Sequence, residues 1–137
     1  MFIDSGVSFT MLPEQVLRNI TEHVNKLMKM DPKYGSNNNK FTCYDVVELP
    51  KDMQEMVLHF CDGAQLVIPV DNYMYLDQAD KEYCLVFKKA PEMYPRMSIL
   101  GNFQQQNMRM LFDVKGETLS FTQYKGCQAE KKQHAAV

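Results

Sequence analysis

The first recurring pattern along the chain is a stripe of apolar positions that predicts a helix. Four apolar residues recur at helical spacing and would share one face: Val16, Ile20, Val24 and Leu27. Pro13 and Glu14 stand where this helix would begin, since proline lacks the N–H that a first turn leaves unpaired and an acid complements the helix dipole. The pattern therefore predicts one surface helix near residues 13–29.

The rest of the chain has short apolar runs separated by turn residues, which predict strands. The predicted strands are 1–3, 41–44, 56–60, 66–69, 72–75, 83–87, 108–112 and 119–122. Asp62-Gly63 is a hairpin signal between the third and fourth of them, and residues 113–117 join the last two. Many short strands with hairpin turns and one clear helix predict a mainly β fold.

Between these elements the composition predicts loops. Residues 31–40 are rich in Pro, Gly, Ser and Asn and would end the helix, and residues 88–96 would form a second loop. Residues 104–107 are predicted to form a short helical turn. We expect one domain over residues 1–127, followed by a polar, disordered tail at 128–137.

One short stretch has the composition of a reactive site. Asp4-Ser5-Gly6 follows an apolar run and would place a carboxylate at a tight turn, within reach of neighbouring backbone N–H groups. Alone, the tripeptide is also ordinary turn chemistry. Its importance rises with a second stretch about a hundred residues later, at 97–103, which contains Ile99-Leu100-Gly101.

Together these motifs resemble a known family. Asp4-Ser5-Gly6, with Leu12-Pro13 after it, resembles the second active-site motif of pepsin-like aspartic proteases. Ser98-Ile99-Leu100-Gly101 resembles the segment that crosses beneath that motif in the same lobe. The run from Asn102 to Asn107 is similar to the plant nepenthesin-like branch, whose carboxyl half is shared with xylanase-inhibitor-type proteins.

The resemblance extends from Phe2 to about Cys127 and implies a single, β-barrel-like lobe of the pepsin fold. It implies that Asp4 is the catalytic acid, that the Ser5 hydroxyl braces the loop of the opposite lobe, and that Gly6 makes the tight turn. Ile99, Leu100 and Gly101 would support the loop from below, where glycine permits a close backbone approach.

The implied chemistry needs two carboxylates that share a proton, one from each of two lobes. The sequence contains one Asp-Ser-Gly and no second copy of the motif. The resemblance therefore implies a polypeptide substrate and a partner, either an amino-terminal lobe or a second copy of this chain. We expect little or no hydrolysis by the chain alone, self-association through an uncovered apolar face, and no cofactor.

Val7 departs from the family pattern, because relatives place Ser or Thr there. That hydroxyl donates a hydrogen bond to the catalytic carboxylate, and a bond to a charged group contributes about 1.5–3 kcal/mol. The missing hydroxyl favours one alternative to a protease lobe, a catalytically inactive binding protein of the xylanase-inhibitor type. A second alternative, a retropepsin-like homodimer, follows from the single motif, since Asp4 from each of two copies would form the dyad.

Four cysteines, Cys43, Cys61, Cys84 and Cys127, lack the spacing of a zinc site, so we expect no metal. Four thiols allow three fully paired connectivities, and buried free thiols are a further alternative. The family resemblance implies a Cys43–Cys84 disulfide. It also implies that the usual partner of Cys127 precedes the Asp-Ser-Gly motif.

Charge and the length of the apolar runs limit the partners and the location that we expect for the protein. The 137 residues carry a net charge of −2 with mixed signs, which indicates neither a nucleic-acid surface nor a charged membrane patch. No apolar run approaches the length of about 18 residues of a membrane span, and no signal-peptide pattern begins the sequence. The resemblance instead implies a secreted or vacuolar protein. Asn19-Ile20-Thr21 matches a glycosylation sequon, which we interpret as exposed helical surface.

Overall fold

The computed structural model describes residues 1–34 and 41–124, and the chain divides into two compact units, Met1–Gln106 and Asn107–Val137. The first unit contains α1 (Glu14–Met28), α2 (Asn102–Gln105) and a 3₁₀ turn at Val70–Asn72. Its strands are β1 (Phe2–Ile3), β2 (Met11–Leu12), β3 (Lys33–Tyr34), β4 (Thr42–Tyr44), β5 (Met56–His59), β6 (Gln65–Ile68), β7 (Met74–Asp77), β8 (Glu82–Leu85), β9 (Lys88–Lys89) and β10 (Ile99–Leu100). The second unit contains β11 (Met108–Asp113) and β12 (Thr118–Gln123). The predicted mainly β fold is confirmed.

Three sheets build the described part of the first unit. One has the order β1-β10-β2-β9, in which β1 runs parallel to β10, β10 antiparallel to β2, and β2 parallel to β9. The second, β3-β4-β8-β7, is antiparallel throughout. The third is the β5–β6 hairpin. In the second unit β11 and β12 pair in register from Met108↔Gln123 to Asp113↔Thr118.

Helix α1 lies where the apolar stripe predicts it, but its buried face is rotated. Val24 and Met28 are buried and Leu17 is half-buried, whereas Val16 is 43% exposed, so its assignment to the stripe was wrong. The helix follows Pro13 and is closed by Lys29, whose left-handed backbone (φ 54°) lets its N–H donate to the Asn25 carbonyl. Turn geometry therefore sets the end of the helix.

Two short strands lie within regions predicted to be loops, so the loop prediction was wrong at residues 33–34 and 88–89. Strand β9 occupies 88–89 because the Lys88 and Ala90 N–H groups donate to the carbonyls of Thr10 and Leu12, at 2.9 and 2.8 Å. Strand β3 pairs with β4 inside the predicted 31–40 loop. Hydrogen bonds to other strands create these two-residue strands, so local composition does not predict them.

Two other predicted elements are shifted along the chain. Residues 70–72 form the 3₁₀ turn, so strand β7 begins at Met74 and not at residue 72. Helix α2 begins at Asn102, two residues before the prediction, and it stops before Gln106, whose backbone is extended. The predicted turn at Asp62-Gly63 is confirmed, since Gly63 has φ 88° and the Phe60 N–H donates to the Ala64 carbonyl.

A disulfide links the middle of the second sheet. Cys43 on β4 lies directly opposite Cys84 on β8, and their sulfurs are bonded, which is the pairing that the family resemblance implies. The bond lies in a buried cluster with Phe41 and Val86. Cys61 is an exposed free thiol, while Cys127 and the predicted tail lie outside the described residues.

Tyr44 joins this sheet to helix α1. Its side chain is fully buried, and its hydroxyl donates to Asn25 Oδ1 at 2.6 Å. Burial raises the pKa of Tyr44 to about 12, because the phenolate would lose its hydration.

This shift predicts a loss of stability in alkali. The unfolded chain releases the Tyr44 proton near pH 10, whereas the folded chain holds it to about pH 12, so unfolding releases a proton between these values. We expect the free energy of unfolding to fall by roughly 2–3 kcal/mol from pH 10 to 12 through this group. Urea titrations on thiol-blocked protein would measure the fall. The Tyr44→Phe variant should lose most of that slope, and an unchanged slope would contradict the assignment to Tyr44.

Candidate active site

The Asp4 loop is held by the pairing of β1 with β10. Phe2 N–H donates to the Ser98 carbonyl at 2.8 Å, and Asp4 N–H donates to the Leu100 carbonyl at 3.1 Å. The backbone of Asp4 is thus fixed by the segment that the family resemblance implies as its support. Ile99 and Leu100 are themselves the strand β10, and Leu100 is fully buried.

Residues 7–10, the returning limb of the loop, are hydrogen-bonded to the same segment. Asn102 N–H donates to the Val7 carbonyl at 2.7 Å, and Phe103 N–H donates to the Ser8 carbonyl at 2.9 Å. Residues 98–103 therefore bond to the loop on both sides of its tip. Such a tip can hold a side chain still without being buried itself.

Gly101 lies where the loop and its support come closest. A Cβ at this position would contact the Phe9 carbonyl carbon, and it would lie 2.7 Å from Thr10 N and 2.8 Å from the Phe9 oxygen. All three atoms belong to the backbone and cannot rotate away. The structure thus contains the close approach that the family resemblance implies for this glycine.

The Asp4 carboxylate lies at the exposed tip. Its Oδ1 accepts a hydrogen bond from Gly6 N–H at 2.8 Å, and Val7 N–H closes the turn on the Asp4 carbonyl at 3.3 Å. Asp4, Ser5 and Gly6 are all exposed, and Val7 is half-buried. The turn orients the carboxylate through one oxygen and presents it outward, where a second acidic group or a water molecule has access.

Below the tip, a buried polar network holds the returning limb. Thr10 N–H donates to Gln104 Oε1 at 2.9 Å, and Gly101 N–H donates to Thr10 Oγ1 at 2.9 Å. Gln104 Nε2 donates to the carbonyls of Asn72 and Val86, at 3.0 and 3.1 Å. Thr10 and Gln104 are fully buried, so these bonds form in a medium where an unpaired polar group is costly.

Sequence reasoning missed the role of this network. Gln104, Gln105 and Gln106 are consecutive and chemically identical, yet Gln104 alone among the three is fully buried. The orientation of the short helix α2 determines which of the three side chains is buried, and no sequence pattern indicates that it is Gln104. The Thr10 hydroxyl oxygen accepts the Gly101 N–H and so joins the loop to its support.

An aromatic cluster anchors the end of the loop. The Phe9 ring packs edge-on against Phe41 with centroids 4.9 Å apart, and it lies 5.7 Å from Phe103. Lys88 Nζ lies over the Phe9 and Phe41 rings at 5.2 and 5.4 Å, within cation–π range. The loop is therefore continuous with the buried cluster around the disulfide.

The described residues contain one group of potential metal ligands, formed by Cys43, Glu82 and Cys84. The two sulfurs are bonded to each other, so neither is a thiolate that a metal could bind. Within the described ranges, no helix has the length and apolar character needed to cross a bilayer.

Comparison with known sequences gives a match over nearly the whole chain. The family profile described as xylanase inhibitor C-terminal matches residues 1–123. The aspartic proteinase nepenthesin-1 of Nepenthes gracilis is 28% identical over 123 residues, which cover 88% of this chain and 27% of that protein. Aspartyl protease 25 of Oryza sativa subsp. japonica is 26% identical over 121 residues, or 87% of this chain and 28% of that protein.

Solved structures match the fold. Conglutin gamma, a basic 7S globulin from lupine seeds, superposes with a TM-score of 0.69 at 21% identity, over 82% of this chain and 29% of that one. The basic 7S globulin from soybean gives a TM-score of 0.67 at 16% identity, over 88% and 32%. The mainly β fold is thus the pepsin-like lobe that the sequence predicts. The chain spans less than a third of the length of these relatives.

Proposed function

Because the chain belongs to the xylanase inhibitor C-terminal family, we propose that it is the carboxyl-terminal lobe of an aspartic-type endopeptidase with Asp4 as its catalytic carboxylate. Relatives named as aspartic proteinases support this choice. Fold similarity to seed globulins does not decide the matter, because one fold serves several functions. The function therefore has to be inferred from the residues of the site.

The observation that carries the proposal is the geometry of Asp4. Its backbone is pinned to Leu100, its Oδ1 is held by Gly6 N–H, and its side chain faces outward. A carboxylate in a shared-proton dyad needs this combination, since it must be rigid yet meet a second carboxylate at about 3 Å. One carboxylate of the pair then takes a proton from the attacking water, while the protonated one polarises the peptide carbonyl.

The second carboxylate has to come from another lobe. The sequence holds one Asp-Ser-Gly, so the chain alone supplies half of the dyad. We therefore propose that it cleaves polypeptides only when an amino-terminal lobe completes the site, and that it is inactive alone. In this proposal the hydroxyl of Ser5, which is exposed beside Asp4, braces the loop of that lobe.

A secreted or vacuolar location belongs to the same proposal. The Cys43–Cys84 disulfide supports it, because such bonds form and persist in oxidising compartments. The free Cys61 thiol lies on an exposed turn and takes no part in the proposed chemistry.

Complementation tests the proposal. The purified chain would be mixed with nepenthesin-1 from which the region similar to this chain has been removed, and hydrolysis of a denatured protein would be followed between about pH 3 and 5. We expect no cleavage by either component alone and cleavage by the mixture. Asp4→Asn should lower that rate at least about 100-fold, because it removes the group that transfers the proton.

The controls separate three outcomes. Glu92→Gln removes an exposed carboxylate outside the loop and should leave the rate of the mixture unchanged. Equal rates for the wild-type chain and the Asp4→Asn variant would overturn the catalytic role of Asp4. Cleavage by the chain alone that rises with the square of its concentration would indicate a homodimer, and a stable but inactive mixture would favour the binding-protein alternative that Val7 suggests.

A further inference from the structure

Helix α1 carries a modification motif that the proposed chemistry does not use. Asn19-Ile20-Thr21 is the single Asn-x-Ser/Thr sequence in the 137 residues, and its middle residue is not proline. The sequence therefore offers one acceptor for an N-linked glycan. Whether the folded protein can carry a glycan there depends on the surroundings of Asn19.

The structure leaves room for a glycan at this position. Asn19 is exposed on the surface of α1. Its Oδ1 accepts a bond from Gln15 Nε2 at 2.9 Å on the helix surface, so this contact does not use Nδ2, the nitrogen that a sugar is attached to. A surface bond of this kind is weak and would not oppose modification.

An apolar groove begins beside Asn19. It has a volume of about 290 Å³ and lies between α1 and the segment that leads into β5. Asn19 lines it together with Ile20, Val24, Leu27 and Tyr73. The C–H faces of a sugar ring pack well on such aliphatic and aromatic walls, and a sugar joined to Asn19 would be tethered at the edge of the groove.

We propose that Asn19 is N-glycosylated and that the first N-acetylglucosamine covers this groove. The Asn19 Nδ2 attacks C1 of an oligosaccharide carried on a dolichyl diphosphate, the bond from C1 to the diphosphate oxygen breaks, and dolichyl diphosphate leaves. A base of the transferase takes the amide proton. The proposal rests on the secretory location proposed above, which would bring the chain to this donor.

Secretory expression tests the modification. The full chain would be produced in yeast behind a cleavable secretion leader and recovered from membranes and medium, so that its natural destination does not affect the result. After trimming with an endoglycosidase, we expect the intact mass to exceed that of the polypeptide by one N-acetylhexosamine. Thr21→Ala should abolish the increment and Thr21→Ser should retain it. An unmodified wild-type chain in both fractions would overturn the proposal.

Thermal unfolding tests the position of the sugar. The trimmed chain, with one sugar on Asn19, should unfold about 2–4 °C above the wild-type polypeptide made in bacteria. Ile20→Ala keeps the sequon but removes part of the groove wall, so the increment should shrink in that background. Equal midpoints with and without the sugar would overturn its placement in the groove. The cleavage assay uses the unmodified bacterial chain, so a failed glycosylation and a failed complementation are separate results.

Discussion

Replacing Gly101 with alanine is expected to lower the free energy of unfolding of the first unit by more than about 4 kcal/mol, at the upper end of single substitutions. The added Cβ would contact the Phe9 carbonyl carbon and lie 2.7 Å from Thr10 N. Relief requires the Asp4 loop to separate from β10, which would break the Gly101 N–H bond to Thr10 Oγ1 as well as the pairing beside it. The strain cannot be absorbed by a side chain.

Urea unfolding of the purified variant would measure this effect, with Gly63→Ala as a matched control. Gly63 has a positive φ of 88° but open space around its Cβ position, so its replacement should cost only about 1–2 kcal/mol. A loss at Gly101 no larger than that at Gly63 would show that the loop and its support are not in the close contact described. Where Gly101→Ala fails to fold, recovery of soluble protein relative to Gly63→Ala gives the same ranking.

Gly101 also shows what the sequence could predict. The family resemblance implies that this glycine allows a close backbone contact with the Asp4 loop, and the structure contains such a contact with Phe9 and Thr10. The helix was predictable because its stripe and its Pro-Glu start agree. The disulfide was predictable only through the resemblance, since thiol spacing leaves three connectivities.

The incorrect structural predictions have a different physical origin. Lys88-Lys89 has the composition of a loop, and it becomes a strand because the backbone of β2 supplies its partners. Val16 fits the helical period, but it lies outside the buried face of α1, which contains Val24 and Met28. Information of this kind lies in tertiary contacts, so short elements and the exact buried face of a helix are the features that local patterns predict least well.

Gln104 is the clearest example of a residue whose role depends on tertiary contacts. Replacing it with leucine is expected to lower the free energy of unfolding by roughly 4 kcal/mol. Leucine is similar in size, but it would leave three fully buried partners without their bonds: Thr10 N–H and the carbonyls of Asn72 and Val86. Each unsatisfied buried group costs about 1–3 kcal/mol, so three of them together outweigh the roughly 1.5–3 kcal/mol gained by burying one leucine side chain. The loss should appear in urea unfolding.

The neighbouring glutamines provide the matched controls. Gln106→Leu changes an exposed side chain and should alter the free energy of unfolding by less than about 0.5 kcal/mol. Gln105→Leu removes one half-buried bond, from Nε2 to the Leu100 carbonyl at 2.9 Å, and should cost about 1 kcal/mol. Equal losses for the Gln104 and Gln106 variants would contradict the buried network.

Hydrogen exchange links this network to Asp4. In the Gln104→Leu chain the Thr10 N–H loses its acceptor, and we expect its exchange to accelerate together with that of Gly101 N–H, which bonds to the Thr10 hydroxyl. In Gln106→Leu both amides should exchange at the wild-type rate. Because Gly101 lies between the Leu100 carbonyl that accepts from Asp4 N–H and the Asn102 N–H that donates to the Val7 carbonyl, a loosened Gly101 would loosen both sides of the Asp4 loop. Unchanged exchange at both amides in Gln104→Leu would show that β10 alone positions the Asp4 carboxylate.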